Sequence, residues 1–173
     1  MESYWEIVEP LFKQIDYGND SEAFLQSCVS VDHSSVLLFA THMTLAEVHN
    51  GGFLQLFWNN TGVLVPEAIE GFLAMRMPAM ATILQESAMP LGTPYPRDRN
   101  QRWDALLTAS RLDSDELERL FEEAENIYLG FVAATSALHF DKLSISFLES
   151  ANSENNGFQE TATRYACTYH SLR

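Results

Sequence analysis

Apolar residues recur along this chain at the three- and four-residue spacing of helix faces. Trp5, Val8, Leu11, Phe12 and Ile15 form a first stripe, and that spacing predicts an amphipathic helix. Ser3 is placed to cap it, with Glu6 three residues on completing a capping box. Pro10 either kinks this helix or begins its main part, and Gly18 stops it. Asp20 or Ser21 then caps a short second helix running to Cys28. A third segment, from about Ser35 to His49, is apolar nearly all round, which predicts burial at the domain centre. Asn50-Gly51-Gly52 breaks the pattern. A glycine in a helix interior costs about 1 kcal/mol, so the pair marks a corner where φ can turn positive. Behind it Phe53, Phe57 and Trp58 are large enough to anchor a core, in a helix that ends near Gly62.

Prolines and caps divide the second half of the chain. Pro66 suits the first turn of a helix, with Glu67 and Glu70 where the helix dipole favours acids. Pro78 interrupts that helix and Pro90 ends the next, while residues 92–99, with Pro94 and Pro96, form a loop. A helix centred on Trp103, Leu106 and Leu107 leads to Arg111. Asp113, with Glu116 three residues later, caps what the pattern reads as the longest helix. Leu117, Leu120, Phe121, Ala124, Tyr128, Phe131 and Val132 would form its inward stripe. Asp141 starts a further helix through Leu143, Phe147 and Leu148 that ends in residues 153–157. The tail from Phe158 suits a strand or a helix equally. The expected fold class is all-α: a single globular multi-helix domain over residues 1–173, with mostly antiparallel helix packing.

Composition adds limits. The chain has 173 residues, 46% of them apolar, enough for one domain with a sizeable core. No run of about 18 apolar residues is present, so no transmembrane helix is expected. The acidic start MESYWEIVEP lacks the basic and apolar regions of a signal peptide. Two cysteines, Cys28 and Cys167, do not make a disulfide framework, and both read as core thiols. A cytoplasmic address is expected.

Charge changes the picture more. Ten Lys and Arg stand against 24 Asp and Glu, a formal net charge of −14. Residues 1–75 hold ten acids and one base, residues 76–111 three acids and five bases, and residues 112–173 eleven acids and four bases. Two acidic segments therefore flank a mildly basic one, an asymmetry that points to a partner.

Candidate chemistry is sparse. His42 and His49 lie seven apart with Glu47 offset, whereas a zincin needs two histidines at i, i+4. A di-iron bundle needs paired Glu-x-x-His motifs, and the chain has none. No phosphate-binding glycine loop and no nucleophile elbow occurs. The expectation is a protein that is not an enzyme and takes no metal or cofactor. A site assembled from distant residues, involving His42, His49 or Glu47, remains the enzyme alternative.

The acids are better ordered. Glu2, Glu6, Glu9 and Asp16 fall on one side of the first predicted helix, and Asp20 and Glu22 continue the charge. Glu118, Glu122 and Glu125 follow i, i+4, i+7 opposite the Leu117–Phe121 stripe, with Asp113, Asp115, Glu116 and Glu123 around them. Like charges at i, i+4 cost some tenths of a kcal/mol. Carboxylates one turn apart repeat at about 6 Å, close to the phosphate spacing of one DNA strand, where a duplex carries a charge per ~1.7 Å. Such faces would attract a basic DNA-binding groove.

The run Glu47 to Gly62 also carries a resemblance. Glu47, Asn50, Gly51, Gly52, Phe53, Gln55, Phe57, Asn59 and Gly62 match the pattern E-x-x-N-G-G-F-x-Q-x-F-x-N-x-x-G of a bacterial all-helical family. The similarity extends over a core of about residues 41–149, through the loop Pro94–Asp98. The best-known member of the family is a DNA mimic protein of Neisseria, to which this chain is similar in size and acidity. The resemblance implies an acidic homodimer that occupies the DNA-binding face of a helix-turn-helix transcription factor and keeps it off its operator. It implies no cofactor, no direct nucleic-acid binding and no membrane. The alternative is a generic acidic interaction module of the inhibitor or immunity type. The motif itself, residue by residue, reads as architecture.

Overall fold

A computed structural model describes residues 3–18 and 21–170, the last of these without its side chain. Among them are ten α-helices and no strand, an all-α domain as the spacing predicts. The first three are α1 (Trp5–Leu11), α2 (Ser21–Cys28) and α3 (His33–Trp58). They are followed by α4 (Val65–Ala74), α5 (Pro78–Ala88), α6 (Arg99–Ser110) and α7 (Ser114–Glu123). The chain closes with α8 (Ile127–Ala134), α9 (Phe140–Ser153) and α10 (Phe158–His170). Helix α3 is the axis of the fold, packed against α1, α4, α6, α9 and α10. Its residues 35–41 are all buried, which is the outcome its all-round apolarity demands.

Asp32 caps α3 by accepting the Ser35 N–H. At the glycine pair Gly51 is extended, with φ −162°, and Gly52 turns left-handed, with φ +73° and ψ −173°. Helical hydrogen bonding resumes at once, so the corner is a kink within one long helix. Asp113 and Glu116 form the capping box of α7. Helix α5 takes its cap from afar: the Glu154 carboxylate accepts the N–H groups of Ala79 at 2.9 Å and Met80 at 3.2 Å, where the dipole favours an anion.

The fold departs from the pattern in four places. Helix α1 ends at Leu11, short of Ile15. Residues 12–14 instead make i→i+3 bonds, and the Asp16 N–H bonds Ser27 Oγ at 2.9 Å, turning the chain toward α2. Glu6 takes the Ser3 N–H as the expected box requires, but Ser3 Oγ takes the Trp5 N–H in place of that of Glu6, so only half of the box forms in register. The expected longest helix is two, α7 and α8, separated by extended Ala124 and by Asn126, which caps α8 through the Leu129 N–H. A straight helix would hold Phe121 and Phe131 about 15 Å apart. The break folds them together at 5.6 Å. It also turns Val132 outward, 40% exposed. The undecided tail is the helix α10, because Phe158, Ala162, Tyr165 and Ala166 find a core to bury against.

Candidate functional site

The signature residues converge on one carboxylate. Glu47 accepts from Gln55 Nε2 at 2.9 Å, Asn59 Nδ2 at 3.0 Å and Thr61 Oγ1 at 2.7 Å. It thereby ties both sides of the kink and the turn after α3 to a single point. Its partners are two amides and a hydroxyl. His42 lies elsewhere, with Nδ1 3.1 Å from the Tyr4 hydroxyl and Trp5 5.2 Å away, and burial pushes its pKa below the ordinary value. His49 is exposed. The bonds that Glu47 and His42 make go to other residues, and none of them joins the two. Among the described residues no group of three or more His, Cys, Asp or Glu is arranged to hold a metal ion.

The rest of the signature is steric. Phe53 and Phe57 are buried against Phe147 at 5.2 Å and Phe140 at 5.5 Å. The kink frees the Phe53 N–H from the helix ladder, and Ser144 Oγ accepts it at 2.9 Å. A Cβ on Gly62 would stand 2.7 Å from Arg102 Nε and 2.8 Å from the Leu56 carbonyl oxygen, so only glycine fits there. Asn50 lies exposed on the outside of the bend.

Sequence reasoning missed the arginines. Arg102 is fully buried and pairs with no carboxylate. It donates to the carbonyls of Phe57 at 3.1 Å and Asn59 at 2.7 Å, and to that of Arg97. Arg99 donates to the Trp58 carbonyl at 2.7 Å and lies 4.3 Å over the Trp103 ring. The carbonyls of Phe57, Trp58 and Asn59 lie at the negative end of α3, where cations are favoured. Arg97 clamps Glu67 in a bidentate pair at 2.7 and 2.8 Å, and the Tyr95 hydroxyl donates to the Gly62 carbonyl at 2.8 Å. Burial lowers the Arg102 pKa and raises that of Tyr95. Three of the five bases of the mildly basic segment, Arg97, Arg99 and Arg102, are thus used as an internal cap, while Arg76 and Arg111 are exposed. The only signal for the cap was three arginines within six residues, in a chain poor in bases.

With those cations turned inward, the outer surface is more acidic than counting implies. On α7, Asp115, Glu118, Glu122 and Glu123 are exposed. Asp113 and Glu116 are exposed too, though engaged in the capping box. Arg119 reaches only Glu123, at 3.9 Å, a surface contact worth little. Glu125 falls in the break after α7, so it does not continue the Glu118–Glu122 face. Glu6 and Glu9 are exposed on α1, and Glu22 on α2. Asp16 lies beyond α1 and is half-buried, so it does not share that helix face. Glu2 and Asp20 lie outside the described residues. Just past α1, Phe12 packs on Phe39, whereas α7 hangs on α8, whose Phe131 meets Trp58. The two acidic elements thus attach to α3 on opposite sides of its kink.

These features define an all-α scaffold whose buried polar core holds a kinked central helix and whose outside is acidic. The chain belongs to the DMP19-like protein family, whose model matches residues 32–166. The match includes the Glu47 hub, the arginine cap and α7, and leaves out α1 and α2. No curated protein and no solved structure matches the chain.

Proposed function

We propose that this protein is a DNA mimic, an acidic homodimer that binds the DNA-binding face of a helix-turn-helix transcription factor and prevents operator binding. It acts in the cytoplasm without catalysis or cofactor, touching neither nucleic acid nor membrane. Family membership supports this reading, and so does the absence, among the described residues, of any helix long and apolar enough to cross a membrane. The observation that carries it is α7: a peripheral helix whose exposed carboxylates are opposed by one arginine, while Arg97, Arg99 and Arg102 are drawn inside. Carboxylates a turn apart, about 6 Å, track the charge of a phosphate strand. A helix-turn-helix dimer sets its recognition helices about 34 Å apart, so the acidic patches act in pairs through a two-fold axis.

A second reading has its own observation. Ile127, Leu129 and Val132 of α8 are exposed beside α7, which suits an interaction module with an apolar contact. One experiment separates the two. The partner is captured from lysate at low and high salt, then offered its operator DNA against the wild-type protein and a Glu118→Lys, Glu122→Lys variant. Mimicry requires salt-sensitive capture and loss of DNA displacement in the variant. Salt-insensitive capture with undiminished displacement by the folded variant would refute it.

A further inference from the structure

One concave site outside the acidic faces is cationic. It lies where the end of α4 meets α10, with a volume of about 290 Å³. Arg76, Arg164, Tyr165 and Tyr169 line it, together with Thr161 and Thr168, and no carboxylate does. In a chain of net charge −14, two guanidinium groups facing one hollow need an explanation.

Arg76 sits in the left-handed region, with φ +60°. Its N–H bonds the Leu73 carbonyl and the Met77 N–H that of Phe72, a helix end of the Schellman type, whose left-handed position glycine normally fills. Arg111 and His139 are also left-handed, so conformation alone does not single Arg76 out. What does is its setting. Its guanidinium makes no hydrogen bond or ion pair to any described residue, and it opens on a hollow already holding a second arginine. Arg164 is held in place by Thr161 Oγ1 at 3.2 Å and, more loosely, by Glu160 at 3.6 Å. Tyr165 and Tyr169 lie with ring centroids 4.6 Å apart, Tyr165 buried and Tyr169 half exposed. Burial, then Tyr169, Asp32 and Glu70, push the Tyr165 hydroxyl up to about 12, so it stays a donor.

The geometry points to a binding site for a small phosphate monoester, its oxyanion held between Arg76 and Arg164 and its organic part against the Tyr165–Tyr169 pair. Two guanidinium forks match the phosphate oxygens, and the hollow has room for a phosphate with one ring. Asp32 and Glu70 act on the Tyr165 hydroxyl electrostatically without lining the hollow, and Glu70 is bonded to His33 at 2.8 Å.

The test is a titration of the full chain with phenyl phosphate, inorganic phosphate and benzoate, followed by amide NMR shifts and calorimetry. Phenyl phosphate is expected to saturate, shifting Arg76, Tyr165 and Tyr169, with inorganic phosphate weaker at the same residues. Arg76→Gln and Arg164→Gln should each weaken it about tenfold. Arg76→Gly separates binding from structure: it should raise the Tm while losing the affinity. No saturable binding, binding unchanged by Arg76→Gly, or benzoate binding as tightly as phenyl phosphate would each overturn the proposal.

Discussion

Ser144 accepts the backbone N–H of Phe53 at 2.9 Å, across 91 residues of chain. The same hydroxyl donates to the Phe140 carbonyl at 2.8 Å, so one side chain of α9 satisfies the donor that the kink in α3 releases. A Cβ on Gly52 would stand 2.9 Å from that oxygen, at a φ of +73°. Ser144→Ala should therefore cost about 1–3 kcal/mol, the penalty of a buried N–H without an acceptor. Gly52→Ala should cost more, because strain adds to the clash. Chemical denaturation reads both, and a Ser144→Ala protein as stable as wild type would show that the kink does not depend on α9.

Arg102 is the second point of dependence. Arg102→Met keeps much of the volume but leaves the Phe57 carbonyl without its donor, and strips the guanidinium from the Asn59 carbonyl, which keeps only the Gly62 N–H. A loss of about 3 kcal/mol or more is expected, which in a domain of this size lowers Tm by roughly 6–12 °C. Arg102→Lys should recover little, since an ammonium cannot span the fork of acceptors. Thermal unfolding of the two variants side by side gives the answer.

The His42 environment fixes a pH dependence. Burial lowers its folded pKa below the ordinary 6.5, so below about that pH the unfolded state binds a proton that the folded state resists. The contribution is fully present above pH 6.5 and is lost as pH falls through the folded value. Stability measured from pH 7.5 to pH 5 should drop, and His42→Gln should flatten the part of that slope due to this residue. An unchanged slope would place the titration elsewhere.

The acidic face of α7 makes a prediction that opposes function to stability. Glu118→Lys with Glu122→Lys exchanges one like-charged pair a turn apart for another, while position 122 lies in the last turn of α7, where the dipole favours a cation, so Tm should hold. The association rate with the proposed partner should fall, and its dependence on salt should weaken. Glu125→Lys should do less, because Glu125 lies off the helix. Stopped-flow association at two salt concentrations distinguishes these outcomes.

Much of this was legible from sequence because it is local. The Asp113–Glu116 box, the start of α4 around Pro66, the left-handed turn at Gly52 and the burial of α3 all follow from residues within about one helical turn of each other. The acids on α7 were also read correctly as exposed. The hub at Glu47 was visible as a motif but not as a set of bonds, since Asn59 and Thr61 reach it only after the chain turns back. Arg102 was invisible for a deeper reason. A buried guanidinium is tolerated only where several carbonyls converge, and its acceptors belong to residues 43 and 45 positions away in sequence.

By itself, then, the sequence determined the helical class, most helix starts, the central place of α3, the family and the acidic balance. Spacing and capping settle these within a few residues. Only the tertiary structure decided that α1 stops at Leu11, that the stripe from Leu117 to Val132 folds in two at Ala124, and that Arg97, Arg99 and Arg102 turn toward the end of α3. Each of these is a contest between helix continuation and a distant contact. The Asp16 bond to Ser27, the packing of Phe121 on Phe131 and the arginine cap on α3 won because burial and satisfied polar groups outweigh the few tenths of a kcal/mol per residue that local propensity offers.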